Sequence, residues 1–144
     1  MKRAVAITLK IPDNTAYTAL VTLRRLGVNV ADVERSDVWF FDADDPSELA
    51  ARVTADEAMF NPNKHRLTVL GECAPRDGEV WIEPLQPFAH APGAVAWRLL
   101  GIDGEPVERA TLDAAIERLL RNPAIDRAVV NDRADHRDNR FAGE

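Results

Sequence analysis

The side chains that most often carry out catalysis or bind metals are few in this chain and lie far apart in the sequence. The histidines are His65, His90 and His136, and the single cysteine is Cys73. None of them has a second histidine or cysteine at the spacing of metal ligands. We therefore expect surface histidines without a metal or catalytic role. Cys73 has no sequence signature of an activated thiol around it, so we interpret it as a bystander.

An acidic cluster formed by Asp42, Asp44 and Asp45 stands directly before Pro46. Clustered carboxylates can bind divalent cations, but the glycine and glutamate positions of a calcium loop are missing here. Acidic residues before a proline are typical of a helix N-terminus, and we favour that interpretation. The chain also has no P-loop, no nucleotide-binding glycine fingerprint and no nucleophile elbow. The sequence thus predicts no catalytic residue, no metal ligand and no cofactor.

Binding is the chemistry that the remaining side chains could perform. Arginines can form charge-assisted hydrogen bonds with the carboxylates of a partner, although one exposed charge is worth only ~0–1 kcal/mol. Aromatic groups follow one another at Trp39-Phe40-Phe41, so a strand there must place them on both faces of its sheet. Aromatic groups on a helix-free face imply contact with another sheet, in the same chain or in a second one. The predicted contact residues are Arg24, Arg25, Arg35, Trp39, Phe41, Arg98 and Arg109.

Composition excludes several classes of protein. The formal net charge of −6 argues against a nucleic-acid-binding protein, which usually has a basic face. No apolar run approaches the ~18 residues that a transmembrane helix needs, and the first residues lack the apolar core of a signal peptide. A lone cysteine fits a reducing compartment. We expect a cytoplasmic protein of one domain or two half-size domains.

The sequence contains two internal echoes. Leu26-Gly27-Val28 and Val33-Glu34-Arg35 return 74 positions later as Leu100-Gly101-Ile102 and Val107-Glu108-Arg109. Asn61-Pro62 returns as Asn122-Pro123, and each pair stands between a helix-like and a strand-like stretch. Self-similarity of this kind predicts a folding unit of about 65–75 residues present twice.

The first unit reads as alternating strands and helices. Alternation from Val5 to Ile11 predicts a strand, and a helix follows that ends at Gly27. Two short strands are expected around a turn at Ser36-Asp37, and a second helix is expected to end at Asn61-Pro62 before a strand at residues 67–70. The order βαββαβ is the ferredoxin-like pattern, an α+β fold in which both helices cover one face of an antiparallel sheet.

The second unit reads as a shortened copy. Its first strand at residues 80–82 is expected at a sheet edge because Pro84 and Pro87 follow it. Pro92-Gly93 is expected to open a helix, and residues 111–120 show strong helical periodicity. The central hairpin is expected to be missing. The predicted organisation is a unit at 1–71, a linker at 72–78, a shortened unit at 79–131 and a disordered tail at 132–144, with the two sheets packed face to face.

Several stretches resemble PurS, the small subunit of phosphoribosylformylglycinamidine synthase. They are the strand at residues 5–10, the run from Leu26 to Val33, the strand at residues 38–41, the turn at residues 90–93 and the helix ending at residues 119–126. The resemblance implies a non-catalytic subunit that forms oligomers and holds a glutaminase subunit against an ATP-dependent synthetase subunit in purine biosynthesis. It implies no activity for the chain alone beyond a place in an amidoligase complex.

Two other functions are compatible with the same pattern. Paired ferredoxin-like units can form a regulatory module that binds a small molecule at their junction, which a ligand-dependent thermal shift would reveal. A ferredoxin-like enzyme with an acid or base in a cleft is the third possibility, and no constellation of residues supports it.

Overall fold

The computed structural model describes residues 1–131. The tail at 132–144, expected to be disordered, lies outside the described residues. The fold is α+β, with six strands in one antiparallel sheet and three helices. The first half supplies β1 (Lys2–Leu9), α1 (Asn14–Arg25), β2 (Asp32–Asp42), α2 (Pro46–Thr54) and β3 (His65–Val69). The second half supplies β4 (Glu79–Pro84), β5 (Ala94–Leu100), α3 (Arg109–Ala115) with a π-helical turn (Ile116–Leu120), and β6 (Asp126–Val130).

The strand order is β3-β1-β2-β5-β4-β6. Each half contributes three strands, with its first strand between the other two. The halves join edge to edge because β2 pairs antiparallel with β5, and the opposed residues run from Asp32 and Leu100 to Val38 and Ala94. The expected face-to-face packing of two separate sheets is therefore wrong. From either edge inward, the strands are the third, the first and the second of their own half. The halves are therefore related by a pseudo-twofold axis through the β2–β5 pair.

Two apolar cores lie between the sheet and the helices. One joins Val5 and Ile7 of β1 to Leu49 and Val53 of α2. The other joins α1 to strands and helices of the second half, and its members include Leu23, Val80, Leu99 and Leu112. Burial of each such side chain contributes about 1.5–3 kcal/mol. Because this larger core combines residues of α1 and β2 with residues of β4, β5 and α3, it belongs to both halves of the chain.

The helix ends follow local sequence signals. The side chain of Asp13 accepts a hydrogen bond from the Ala16 backbone at the start of α1, and Asp45 accepts one from Ser47 at the start of α2. Pro46 is the first residue of α2, so the capping interpretation of this acidic segment is confirmed for Asp45. Gly27 follows α1 with a φ of 84°, the left-handed conformation predicted for it. The second helix ends at Thr54, earlier than the expected end at Asn61-Pro62.

The predicted turn at Ser36-Asp37 is wrong. Both residues lie inside β2, which pairs with β1 along one part of its length and with β5 along another. The hydroxyl groups of Ser36 and Thr8 are 2.6 Å apart in the sheet interior. Partners on both sides stabilise the extended conformation against the turn preference of the two side chains.

The predicted helix after Pro92-Gly93 is also wrong, because residues 94–100 form β5. Residues four apart, such as Val95 and Leu99, share one face in a strand as well as in a helix. Residues 85–93 form neither helix nor strand. The second half therefore lacks the helix between its first two strands, rather than a central hairpin. The predicted edge position of residues 80–82 is wrong too, since β4 lies between β5 and β6.

Only one of the two sequence echoes falls at equivalent positions in the two halves of the fold. Leu26-Gly27 ends a helix whereas Leu100-Gly101 ends a strand, so that echo does not mark equivalent positions. Asn61-Pro62 and Asn122-Pro123 open matching turns into β3 and β6. Each asparagine Oδ1 accepts a hydrogen bond from the backbone two residues later, at 2.9 Å and 3.1 Å.

Candidate functional site

The helix-free face of the sheet carries a cluster of ionised side chains, here called the charged row. It comprises Glu34, Arg66, Arg76, Glu79 and Arg98. Strand alternation positions most of them: Glu34 of β2 lies opposite Arg98 of β5, and Arg98 lies opposite Glu79 of β4. Arg66 stands on β3, and Arg76 enters from the segment that connects the two halves.

Glu79 is the most deeply placed member of the charged row, with a side chain only 1% exposed. Its carboxylate accepts hydrogen bonds from the Arg76 guanidinium at 2.7 Å, from the Arg76 backbone at 2.9 Å and from the Trp81 indole at 3.1 Å. A buried carboxylate is tolerated only when it is paired and hydrogen-bonded in this way. Glu34 is shared between Arg66 at 3.3 Å and Arg76 at 3.9 Å. The ion pairs of the charged row thus link β2, β3, β4 and the connecting segment.

The arginines predicted as contacts are dispersed over the molecule. Arg24 and Arg25 are exposed in the last turn of α1, where Arg24 donates to the Val30 carbonyl at 3.0 Å. Arg35 pairs with Asp13 at 3.2 Å, and Arg109 bonds Asp113 at 2.8 Å within α3. Arg98 alone of these five belongs to the charged row.

The aromatic residues of β2 divide between the two faces of the sheet. Trp39 and Phe41, both predicted as contacts, are half-buried on the helix side beside the core that α2 covers. Phe40 lies on the helix-free face, where its ring packs edge-on against Trp81 at 5.6 Å and beneath the Lys2 ammonium. The expectation that this strand places aromatic groups on both faces is confirmed.

Asp37 is the ionisable group nearest the pseudo-twofold axis. It lies on the helix side of β2, opposite Ile7 on one neighbour and Val95 on the other. Burial raises the pKa of its carboxyl above the ordinary value, because desolvation disfavours the charged form, and the positive charge of Arg35 opposes that shift. A carboxyl of this kind is a candidate for proton chemistry only where a substrate can reach it.

The two edge strands present matching surfaces at opposite sides of the sheet. The backbone N–H groups of Lys10 and Leu70 each donate a hydrogen bond across the β1–β3 pair. Bonded and non-bonded positions alternate along an antiparallel pair, so Leu67 lies at a non-bonded position and its N–H points away from the sheet. The Leu85 N–H donates a hydrogen bond to the Ile125 carbonyl, which makes this a bonded position between β4 and β6. Ala128 lies three residues further along β6 at a non-bonded position, so its N–H also points outward. Leu67 and Ala128 are equivalent through the matching Asn-Pro turns. Both edges can therefore accept an added strand.

Sequence reasoning missed Glu34, Arg66, Arg76 and Glu79 as members of a cluster. Glu34 stood in the internal echo, but its partners come from β3, β4 and the connecting segment, which no local spacing reveals. Glu79 alternates with Trp81 and Glu83 along β4, and this period of two was the available signal.

The other reactive residues have ordinary surroundings. His65 accepts a backbone hydrogen bond at the start of β3, His90 is exposed and Cys73 is exposed. His136 lies outside the described residues. In residues 1–131, no group of three His, Cys, Asp or Glu side chains could hold a metal ion, and no helix has the length and apolar character to cross a bilayer. Comparison of the chain with protein-family models, curated proteins and solved structures finds no match.

Proposed function

We propose that this chain is a non-catalytic, PurS-like adaptor in the cytoplasm that bridges the glutaminase and synthetase subunits of phosphoribosylformylglycinamidine synthase. The observation that carries the proposal is the pair of equivalent edge strands, β3 and β6, at opposite sides of one sheet. A bridging protein needs two separate contact surfaces, and this sheet offers one at each edge. The identity of the partners rests on the sequence resemblance.

The geometry of the sheet suits a bridge. Six strands span five interstrand spacings, which places the two edges about 24 Å apart. That separation lets two globular partners contact the chain without colliding at the same surface. A single chain with a pseudo-twofold axis also supplies the two-unit arrangement that the family forms by dimerisation.

The edges differ in their side chains, which would allow each to select a different partner. The β3 edge begins with His65 and the β6 edge with Asp126, so their charges at neutral pH differ. Arg24, Arg25 and Arg109 lie on the helix side and could add contacts to partner carboxylates. Such rim charges affect the rate of association more than the affinity.

The test is co-elution of the full chain with the synthetase and glutaminase subunits of its host. Ala128→Pro removes an outward N–H of β6 without removing a bond to β4. We expect this variant to lose one partner and to keep the other. Ala110→Pro is the matched control, because the first turn of α3 needs no helical bond from that N–H. Failure of the unaltered chain to co-elute, or equal retention of both partners by Ala128→Pro, would overturn the proposal.

A further inference from the structure

Arg98 is the member of the charged row that neither neighbouring glutamate binds. It lies opposite Glu34 on one side and Glu79 on the other. Arg76 enters from the connecting segment and donates hydrogen bonds to Glu79, and it also forms an ion pair with Glu34. Within residues 1–131, the buried Nε of Arg98 has no hydrogen-bond partner. Three arginines thus face two glutamates, and Arg98 holds the excess positive charge.

A buried N–H donor without an acceptor costs about 1–3 kcal/mol. Native proteins rarely keep such a group unless it has a role or an acceptor binds to it. On a guanidinium the missing acceptor is most simply a carboxylate or a phosphate, since both accept two parallel hydrogen bonds from its fork of N–H groups. The arrangement of the charged row therefore indicates an anion.

A cavity of about 480 Å³ lies beside Arg98. Its walls come from the end of β3, the segment connecting the two halves, and β5. They combine the apolar Leu70, Pro75 and Pro106 with polar and charged groups that include Thr68, Glu72 and Asp77. This volume is in the range of small-molecule sites, and the lining of the cavity is more polar than apolar. Asp77 on the rim is already bonded by the Asn131 amide at 3.0 Å.

We propose that this cavity binds a small organic anion, whose carboxylate or phosphate group forms a two-pronged hydrogen bond with Arg98. Leu70, Pro75 and Pro106 offer apolar contacts to the carbon skeleton of the ligand. The Thr68 hydroxyl lies in the same wall and can donate to a further oxygen of the anion. A ligand rather than a partner protein is favoured because Arg98 lines a recess formed by three segments of the chain. The site shares Thr68 with the β3 edge strand, but its anchor Arg98 lies on β5 in the interior of the sheet.

The test is isothermal titration of the full chain with two probes, succinate and inorganic phosphate, and with the uncharged succinamide as a control. We expect saturable binding of at least one anion and none of succinamide. Arg98→Gln should weaken that binding at least tenfold, and Arg98→Lys should weaken it less. The matched control is Arg127→Gln, since Arg127 is an exposed arginine on the same face that pairs with Glu83. The affinity of Arg127→Gln for the anion should equal that of the unaltered chain.

The outcomes separate cleanly. Preference for succinate indicates a carboxylate ligand, and preference for phosphate indicates a phosphate ester; both support the site. Absence of saturable binding by the folded chain overturns it. Equal losses in Arg98→Gln and Arg127→Gln also overturn it, because they would indicate general attraction of anions to the face. None of these measurements involves the glutaminase or synthetase subunits, so the adaptor proposal stands or fails separately.

Discussion

His65 and Asp126 close equivalent turns with different chemistry. The imidazole Nδ1 of His65 accepts a hydrogen bond from the Asn61 backbone at 3.0 Å, and the Asp126 carboxylate accepts one from the Asn122 backbone at 3.2 Å. In return, the backbone N–H of each residue donates to the asparagine carbonyl at 2.8 Å. A side-chain acceptor at this position is therefore what the turn requires, and either an imidazole nitrogen or a carboxylate oxygen satisfies it.

Replacing His65 tests this equivalence. We expect His65→Ala to lower the free energy of unfolding by about 0.5–1.5 kcal/mol, because the Asn61 N–H loses its acceptor. His65→Asp should lower it less, since a carboxylate at this position closes the other turn. Both variants lose the ring contact with Phe60, so their difference isolates the hydrogen bond. Urea unfolding monitored by tryptophan fluorescence measures both, and equal losses would contradict the equivalence.

Removing the charge of Glu79 should destabilise the fold. Glu79→Gln leaves the Arg76 guanidinium without its buried partner, and we expect a loss of about 2–3 kcal/mol, below the value for a fully buried pair because Arg76 is partly exposed. Glu83→Gln on the same strand is the control, because its partner Arg127 is largely exposed and the pair is worth only ~0–1 kcal/mol. Chemical denaturation of the two variants compares them directly. A larger loss in Glu83→Gln would show that the buried pair is not a stabilising element.

A side chain at Gly93 should collide with Phe40. A Cβ placed on Gly93 would overlap the ring of Phe40, closer than real contacts allow. We expect Gly93→Ala to lower the free energy of unfolding by about 1–3 kcal/mol through overpacking. Gly71→Ala is the control, since a Cβ there meets no atom within 4 Å. Combining Gly93→Ala with Phe40→Leu should recover part of the loss, and strict additivity of the two changes would contradict the collision.

The carboxyl of Asp37 should make stability depend on pH in an unusual direction. Burial raises its pKa in the folded chain above the ordinary value of 3.8, so between these two values the folded state binds more protons than the unfolded state. Stability then falls as pH rises through this window, and Asp37 destabilises the fold at neutral pH. Arg35, His65 and Asp13 are the charged or titratable groups that act on it.

We therefore expect Asp37→Asn to be more stable than the unaltered chain at pH 7, and this advantage to shrink as pH falls through the raised pKa toward the ordinary value. Asp42 serves as a control of opposite sign, because hydrogen bonding to the N-terminal ammonium lowers its pKa. Asp42→Asn should not be stabilising at neutral pH. Denaturation curves at several pH values measure both effects, and an Asp37→Asn advantage that grows on acidification would contradict the account.

Local signals allowed much of the first half to be predicted. Three predicted features depend on neighbours within a few residues: the strand β1, the end of α1 at Gly27 and the acidic cap before Pro46. The Asn122-Pro123 helix ending was predictable for the same reason. Candidate contacts were less predictable, because the glutamates opposite Arg98 lie on other strands.

The sequence by itself determined the α+β class, the helix caps and the Asn-Pro turns, since each depends on side chains that act on their own stretch of backbone. Only the tertiary structure decided that Ser36-Asp37 continues a strand, that residues 94–100 pair with β2, and that the halves share one sheet. A spacing of four residues suits a helix and a strand equally, so hydrogen-bond partners distant in sequence made the choice. The same long-range pairing set Arg76 beside both glutamates and left Arg98 as the excess positive charge.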